Sequence, residues 1–307
     1  MIEEEARKLV TKAGRELSET GLIARTWGNV SCRIDEEYFV ITPSGRDYMT
    51  LREDEVVKLD IEEMNYEGDI KPSSEKKIHR AIYNLKEDAG FIIHTHQHNA
   101  SAVSAMGSDI VNGVPCAAYG LPGTRKVTAN VIRAFEEYDT KAVIISNHGA
   151  VVYGEDYEEA FAAAKELENS CGDYLESLGI DPWRGGDEHF GKLWNDDPVI
   201  LKFMEVRSRM VPYLDDFAQI IGTGLKVVDY DEKTIAAAQA RRKPLLVRGR
   251  GAMCNAVSED DAAAVSMIIE KNARASLAGL GVKPINRLES FMMRQVYLKK
   301  YSKLKGK

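Results

Sequence analysis

The sequence predicts an α/β chain. Segments with helical and with strand periodicity alternate along its 307 residues. Two short apolar runs precede histidines: Phe91 to Ile93 leads directly into His94, and Ala142 to Ile145 is followed three residues on by His148. A strand–loop–strand–helix pattern then recurs in the C-terminal part.

The first element is an amphipathic helix. Ile2, Ala6, Leu9, Val10, Ala13 and Leu17 fall at helical spacing, and Gly21 is a stop signal. Val30, Cys32 and Ile34 alternate with polar residues as a strand, Asp35-Glu36-Glu37 turns, and Tyr38 to Ile41 continues the pair. Pro43-Ser44-Gly45 is a turn, and Val56 to Ile61 is a further strand. Pro72-Ser73-Ser74-Glu75 has the composition of a helix start with a serine cap, which puts Glu75 in the first turn. Ile78, Ile82 and Leu85 form the buried stripe. Phe91 to His96 is a strand, and Asn99 to Met106 and Lys126 to Tyr138 are helices. Ala142 to Ser146 and Ala150 to Tyr153 are strands around the loop Asn147-His148-Gly149. Asp156 to Leu178 is a long helix ended by Gly179.

The segment Lys141 to Ala150 resembles Lys243 to Ala252, 102 positions downstream. The same offset carries Ala160 onto Ala262, Glu168 onto Glu270, Leu175 onto Leu277 and Gly179 onto Gly281. A strand at Leu225 to Tyr230 and a helix at Glu232 to Arg241 precede the second copy. The chain therefore divides into 1–180 and 181–307, the latter a degenerate half-repeat.

Composition sets further bounds. With 41 Lys and Arg against 48 Asp and Glu, the net charge is -7, a poor basis for phosphate-backbone binding, so no nucleic-acid partner is expected. Cys32, Cys116, Cys171 and Cys254 are widely spaced, as suits reduced thiols in a cytoplasmic protein. No apolar run reaches the length of a membrane span, and Met1 to Glu5 lack a basic leader, so no membrane partner or signal peptide is expected. The basic tail after Glu289 reads as a solvated helix end.

His94 and His96 are two apart on a strand, so both imidazoles can face one ion. His148 follows a second strand. Three neutral imidazoles with an open fourth position suit a catalytic zinc site, although such a set accepts other divalent ions. His98 is a rival ligand that the start of a helix should carry off the face. His79 lies one helical turn from Glu75 and suits a supporting role. His189 reads as a loop residue without a role. Glu75 is the candidate acid/base, against the plainer reading of an exposed first-turn glutamate.

Thr26-Trp27-Gly28-Asn29-Val30-Ser31, Ile41-Thr42-Pro43-Ser44-Gly45, Pro72-Ser73-Ser74-Glu75, His94-Thr95-His96 and Asn147-His148-Gly149 occur in that order. Together they resemble the zinc-dependent class II aldolase and adducin head-domain family over roughly 1–180. The resemblance implies a three-layer α/β/α fold with a central, mostly antiparallel sheet. It implies that His94, His96 and His148 hold Zn2+, that Glu75 moves a proton on the substrate carbon, and that Asn29, Ser44, Gly45, Ser73 and Ser74 cradle a phosphate. Small donors, turn N–H groups and a helix N-terminus all suit an anion. The implied reaction is retro-aldol cleavage of a ketose 1-phosphate, of the L-fuculose 1-phosphate kind, to dihydroxyacetone phosphate and an aldehyde.

The family also holds sugar-phosphate 4-epimerases, methylthioribulose-1-phosphate dehydratases and non-catalytic adducin-like binding modules. Its epimerases carry Asp after the two serines, so Glu75 points to the aldolases, as do Val114 to Tyr119 and Gly123-Thr124. The resemblance further implies a homo-oligomer, often a tetramer, with sites at subunit boundaries. Two departures stand out. Only Gly107 to Gly113 fills the stretch where the aldolases carry a proton-donating tyrosine, which leaves Tyr119 as a possible donor beside its plainer reading as a packed aromatic. Trp27 is bulky where the family often has a small residue. At the repeat offset His148 falls on Arg250, so 181–307 cannot repeat the metal chemistry. A structural or oligomer-interface role is expected for it, with anion binding by Arg248 and Arg250 as the alternative.

Overall fold

The computed structural model describes residues 1–23, 27–186 and 192–301. His189, Thr26 and the last lysines of the basic tail lie outside the described residues.

Helix α1 (Glu3–Glu19) buries Ala6, Val10, Ala13 and Leu17, and its first turn is acidic, which complements the helix dipole. Ile2 precedes the helix and is exposed rather than part of the stripe. The strands β1 (Gly28–Arg33), β2 (Tyr38–Ile41) and β3 (Val57–Asp60) form an antiparallel meander. Next come α2 (Lys76–Leu85), β4 (Phe91–Thr95), α3 (His98–Val103), β5 (Ile110–Val111), β6 (Val114–Ala117) and α4 (Arg125–Glu137). The N-terminal unit closes with β7 (Ala142–Ile145), β8 (Gly149–Gly154) and α5 (Tyr157–Ser177), whose Asp156 side chain accepts the Glu159 N–H as a cap.

These strands form one mixed eight-stranded sheet in the order β3-β2-β1-β4-β8-β7-β6-β5. The β6–β7 pairing is parallel and the others are antiparallel. Alternation along the strands divides the core between the two faces. On one, Phe91, Ile93 and Ile144 join Val10 and Leu17 of α1 and Ala160, Ala164 and Leu167 of α5. On the other, Ile92, Val143 and Ile145 join Ile78 and Ile82 of α2 and Val131 and Phe135 of α4. Each fully buried side chain of this size is worth about 1.5–3 kcal/mol.

The C-terminal part runs β9 (Trp194–Asn195), α6 (Pro198–Val206), β10 (Arg209–Met210), α7 (Asp215–Ile220), β11 (Leu225–Val228), α8 (Glu232–Ala240), β12 (Leu245–Val247), β13 (Gly251–Met253), α9 (Glu259–Ala278) and α10 (Arg287–Val296). Its five strands lie in the order β10-β11-β12-β13-β9, with β11 and β12 parallel. No core boundary falls at residue 180. Helix α3 packs against both α5 and α9. Ala100 and Val103 of α3 share one buried cluster with Phe203 of α6 and with Ile268 and Ile269 of α9.

The expected serine cap of α2 is corrected. Glu75, not a serine, is the residue before the helix, and its side chain makes no capping bond. The Ser73 hydroxyl instead accepts the Glu75 N–H at 3.2 Å, which leaves the carboxylate free to turn inward.

Candidate metal centre and substrate cavity

The site lies at the ends of β1, β4 and β8, which are neighbours in the sheet. Register places Asn29 opposite His94 and Thr95 opposite Ala150. This crowding requires glycine at two points. A Cβ on Gly28 would come within 2.6 Å of the His94 carbonyl oxygen, at a φ of +118°, and one on Gly149 within 2.1 Å of the Thr95 carbonyl oxygen. Asn147 supplies a left-handed turn with φ 58°, which sends His148 back toward β4.

Glu75, His94, His96 and His148 each offer a ligand atom within 4.8 Å of the others, and all four side chains are buried. The Glu75 carboxylate lies 3.1 Å from His94 Nε2 and 3.3 Å from His148 Nε2. The two Nε2 atoms are 3.0 Å apart. His94 Nδ1 donates to the Ala150 carbonyl at 2.8 Å, and His148 Nδ1 donates to the Asp215 carboxylate. Both Nε2 lone pairs and a carboxylate thus converge where only a positive charge can satisfy them. Burial alone would lower the His148 pKa, but the Asp215 and Glu75 carboxylates facing it hold it well above the usual value. Burial would raise the Glu75 pKa, but His94 and His148 hold it well below the carboxylate range. Burial, and then the neighbouring imidazoles, keep His96 well below its ordinary value and therefore neutral. The donor set fits a divalent cation with imidazole and carboxylate ligands.

Support extends outward from Glu75. Asn29 Nδ2 donates to Glu75 Oε2 at 3.2 Å. His79 Nε2 bonds Asn29 Oδ1, and His79 Nδ1 bonds the Ser31 hydroxyl at 2.7 Å, which also meets the Tyr83 hydroxyl. This chain fixes the Asn29 amide with its NH2 toward Glu75. His98 opens α3 and stacks on Trp183, ring centroids 4.3 Å apart, away from the cluster.

A cavity of about 1720 Å³ opens over the cluster. Asn29, Ser44, Gly45, Ser73, Ser74 and Glu75 line it together with His96 and His148. The two serine-bearing loops are tied to each other: Ser44 N–H donates to the Lys71 carbonyl and Ser73 N–H to the Thr42 carbonyl. Tyr119 does not line the cavity. Its ring packs with Leu121 against Ala218, Ile285 and Met293, and its buried hydroxyl has no hydrogen-bond partner. Trp27 does line the cavity.

Sequence reasoning missed the contribution of the C-terminal part. Besides Asp215, the fully buried Lys271 donates to the His96 carbonyl at 2.8 Å and to Asp216 at 2.7 Å. The only trace in the sequence is the Asp215-Asp216 pair amid apolar residues, while Lys271 sits unremarkably in the polar run Glu270-Lys271-Asn272.

An α/β sheet thus carries an inward-facing imidazole and carboxylate set that could hold a metal ion, at the mouth of a polar-rimmed cavity. The chain belongs to the Class II Aldolase and Adducin N-terminal domain family, whose profile matches residues 8–175, just over half of it. That family is metal-dependent, and the protein is an enzyme of the class II aldolase type. It is 30% identical over 192 residues to a 5-deoxy-D-ribulose 1-phosphate aldolase of Bacillus thuringiensis, covering 59% of this chain and 89% of the relative. It is 34% identical over 179 residues to the L-fuculose phosphate aldolase of Escherichia coli, covering 54% and 81%. It is 30% identical over 199 residues to an L-ribulose-5-phosphate 4-epimerase of Salmonella paratyphi C, covering 57% and 86%. A solved L-fuculose 1-phosphate aldolase superposes with a TM-score of 0.52 at 29% identity, over 60% of this chain and 92% of that one.

Proposed function

We propose that the protein cleaves a ketose 1-phosphate by a retro-aldol reaction, giving dihydroxyacetone phosphate and an aldehyde. The observation that carries this reading is the convergence of three histidines and Glu75 beneath a cavity rimmed by small hydrogen-bond donors. His94, His96 and His148 would hold a divalent ion, Zn2+ in the simplest case. Such an ion supplies Lewis acidity that polarises the substrate carbonyl and stabilises developing negative charge. Asn29, Ser44, Gly45, Ser73 and Ser74 take the phosphate and set the reacting carbons over the cluster. Glu75, held by Asn29, would as the carboxylate take up the hydroxyl proton released when the carbon–carbon bond breaks and return it to the carbon next to the carbonyl; in the condensing direction it removes that carbon's proton. Tyr119, off the cavity wall, is given no step.

The test is a panel of ketose 1-phosphates offered to metal-loaded protein, with dihydroxyacetone phosphate as the readout. Inertness toward every member sinks the reading. Glu75→Gln should lower turnover by about 10²–10⁴-fold while metal stays bound. The 30% identity to an epimerase keeps 4-epimerisation as a second reading, with dehydration as in methylthioribulose-1-phosphate dehydratases beside it. Product analysis separates them, since an epimer or a dehydrated diketone would replace the two fragments.

Residues 181–307 read as a partial copy of the back half of the catalytic unit. In support, β12, β13 and α9 follow one another as β7, β8 and α5 do, and Ser258 caps α9 as Asp156 caps α5. β13 pairs with β9 as β8 pairs with β4, which sets Trp194 where His94 would be. The Arg250 guanidinium lies over the Trp194 ring at 4.2 Å, a cation–π pair in place of two ligands. A homo-oligomer, tetrameric in the family manner, and a cytoplasmic location with its four free buried cysteines complete the reading. Light scattering of the purified protein tests the assembly.

A further inference from the structure

The three histidines of the cluster are not supported alike. His94 leans on a backbone carbonyl, and His96 Nδ1 has no hydrogen-bond partner, with Asp216 at 3.9 Å. Among the described residues, only His148 of the three donates to a carboxylate, that of Asp215, which is fully buried at the start of α7. Asp215 Oδ1 has no hydrogen-bond partner among the described residues, so the desolvation of this carboxylate is offset chiefly at His148. The loop carrying His148 is also gripped from the same segment. Asp215 N–H donates to the Asn147 carbonyl at 3.0 Å, and Asn147 Nδ2 donates to the Tyr213 carbonyl at 2.8 Å. The groups that do the gripping, Asp215 and Tyr213, lie beyond residue 175, where the family match ends.

We propose that Asp215 is a positioning residue of the metal centre, supplied by the C-terminal part, which fixes His148 with Nδ1 protonated and Nε2 presented to the ion. A carboxylate on the far nitrogen locks the ring orientation and tautomer and makes the ligating nitrogen more basic. The Asn147 turn sets where the ring stands, and Asp215 sets which nitrogen faces inward. The inference rests on the reading of His94, His96 and His148 as metal ligands.

The experiment compares zinc affinity, by chelator competition, in the full-length wild type, Asp215→Asn and Asp215→Ala. Asn keeps an acceptor but loses the charge. Affinity should fall about 10-fold in the Asn variant and about 100-fold in the Ala variant, with circular dichroism showing each metal-free variant to be folded. A folded Asn variant with unchanged zinc affinity overturns the role of Asp215 and leaves the metal site standing. Wild-type protein that takes up no zinc overturns both. A second measurement needs no variant: ¹⁵N-histidine NMR of the zinc-loaded wild type should show His148 protonated at Nδ1 and ligated through Nε2. Ligation through Nδ1 would refute the proposal even if both variants failed to fold.

Discussion

His79 shows how one buried side chain makes stability depend on acidity. Burial first, and then the neighbouring His94, push its pKa down to about 3, from 6.5 in an open chain. The imidazole is therefore neutral in the fold and bonded to Ser31 and Asn29. Its contribution is fully present above pH 6.5 and is lost as the pH falls toward 3. In chelator, the wild type should lose about 3 kcal/mol more than His79→Gln between pH 6.5 and 4. Urea titrations at the two pH values check this, and parallel losses would remove His79 as the cause. Asn29→Ala acts on the same chain from the other end. It leaves Glu75 without its amide donor, so turnover should fall at least tenfold, the worth of a hydrogen bond to a charged group. Metal content by atomic absorption should hold, because the three histidines are untouched.

Elements obey simpler rules, and two glycines separate them. Gly149 has no room for a methyl against β4, whereas Gly113 has open space and only a left-handed φ of +78°. Gly113→Ala should cost on the order of 1 kcal/mol from backbone strain alone. Gly149→Ala has to push two strands apart at the metal site and should cost several times more, with loss of metal. A thermal melt of both variants decides, and equal shifts would contradict the packing. This contrast also explains what the sequence could reveal. Long periodic segments such as α1, α4 and α5 were legible, because burial repeats every three or four residues along them. So were His94 and His96, since alternation in a strand fixes their common face. The two-residue strands β5, β9 and β10 were not, because two residues carry no period. Nor was Asp215 legible. Its partner lies 67 positions away, and nothing local distinguishes it from the capping acids that open many helices. Glu75 was found by motif rather than by physics, since the inward turn of its uncapping side chain is visible only in three dimensions.

At the scale of the whole molecule, the apolar core passes from one sheet to the other through α3 and α9. A chain ended at Ile180 would expose Ala100 and Val103 of α3 and lose both the Asp215 and the Lys271 contacts. It should not yield a soluble monomer, and any that folds should bind zinc at least 100-fold more weakly, the loss set for Asp215 alone. Expression of that fragment with gel filtration and metal analysis checks this, and a soluble, zinc-tight fragment would show the halves to be independent.

The grip of Lys271 on the His96 carbonyl also sets an order in time. His94, His96 and His148 are all synthesised in the first half of the chain, yet the lysine that closes on them is made 175 residues after His96. A ribosome carrying the chain out as far as α8 would hold Glu75 and all three histidines but not Lys271. The buried contact that ties α9 to the His96 carbonyl can therefore form only after most of the chain has been made.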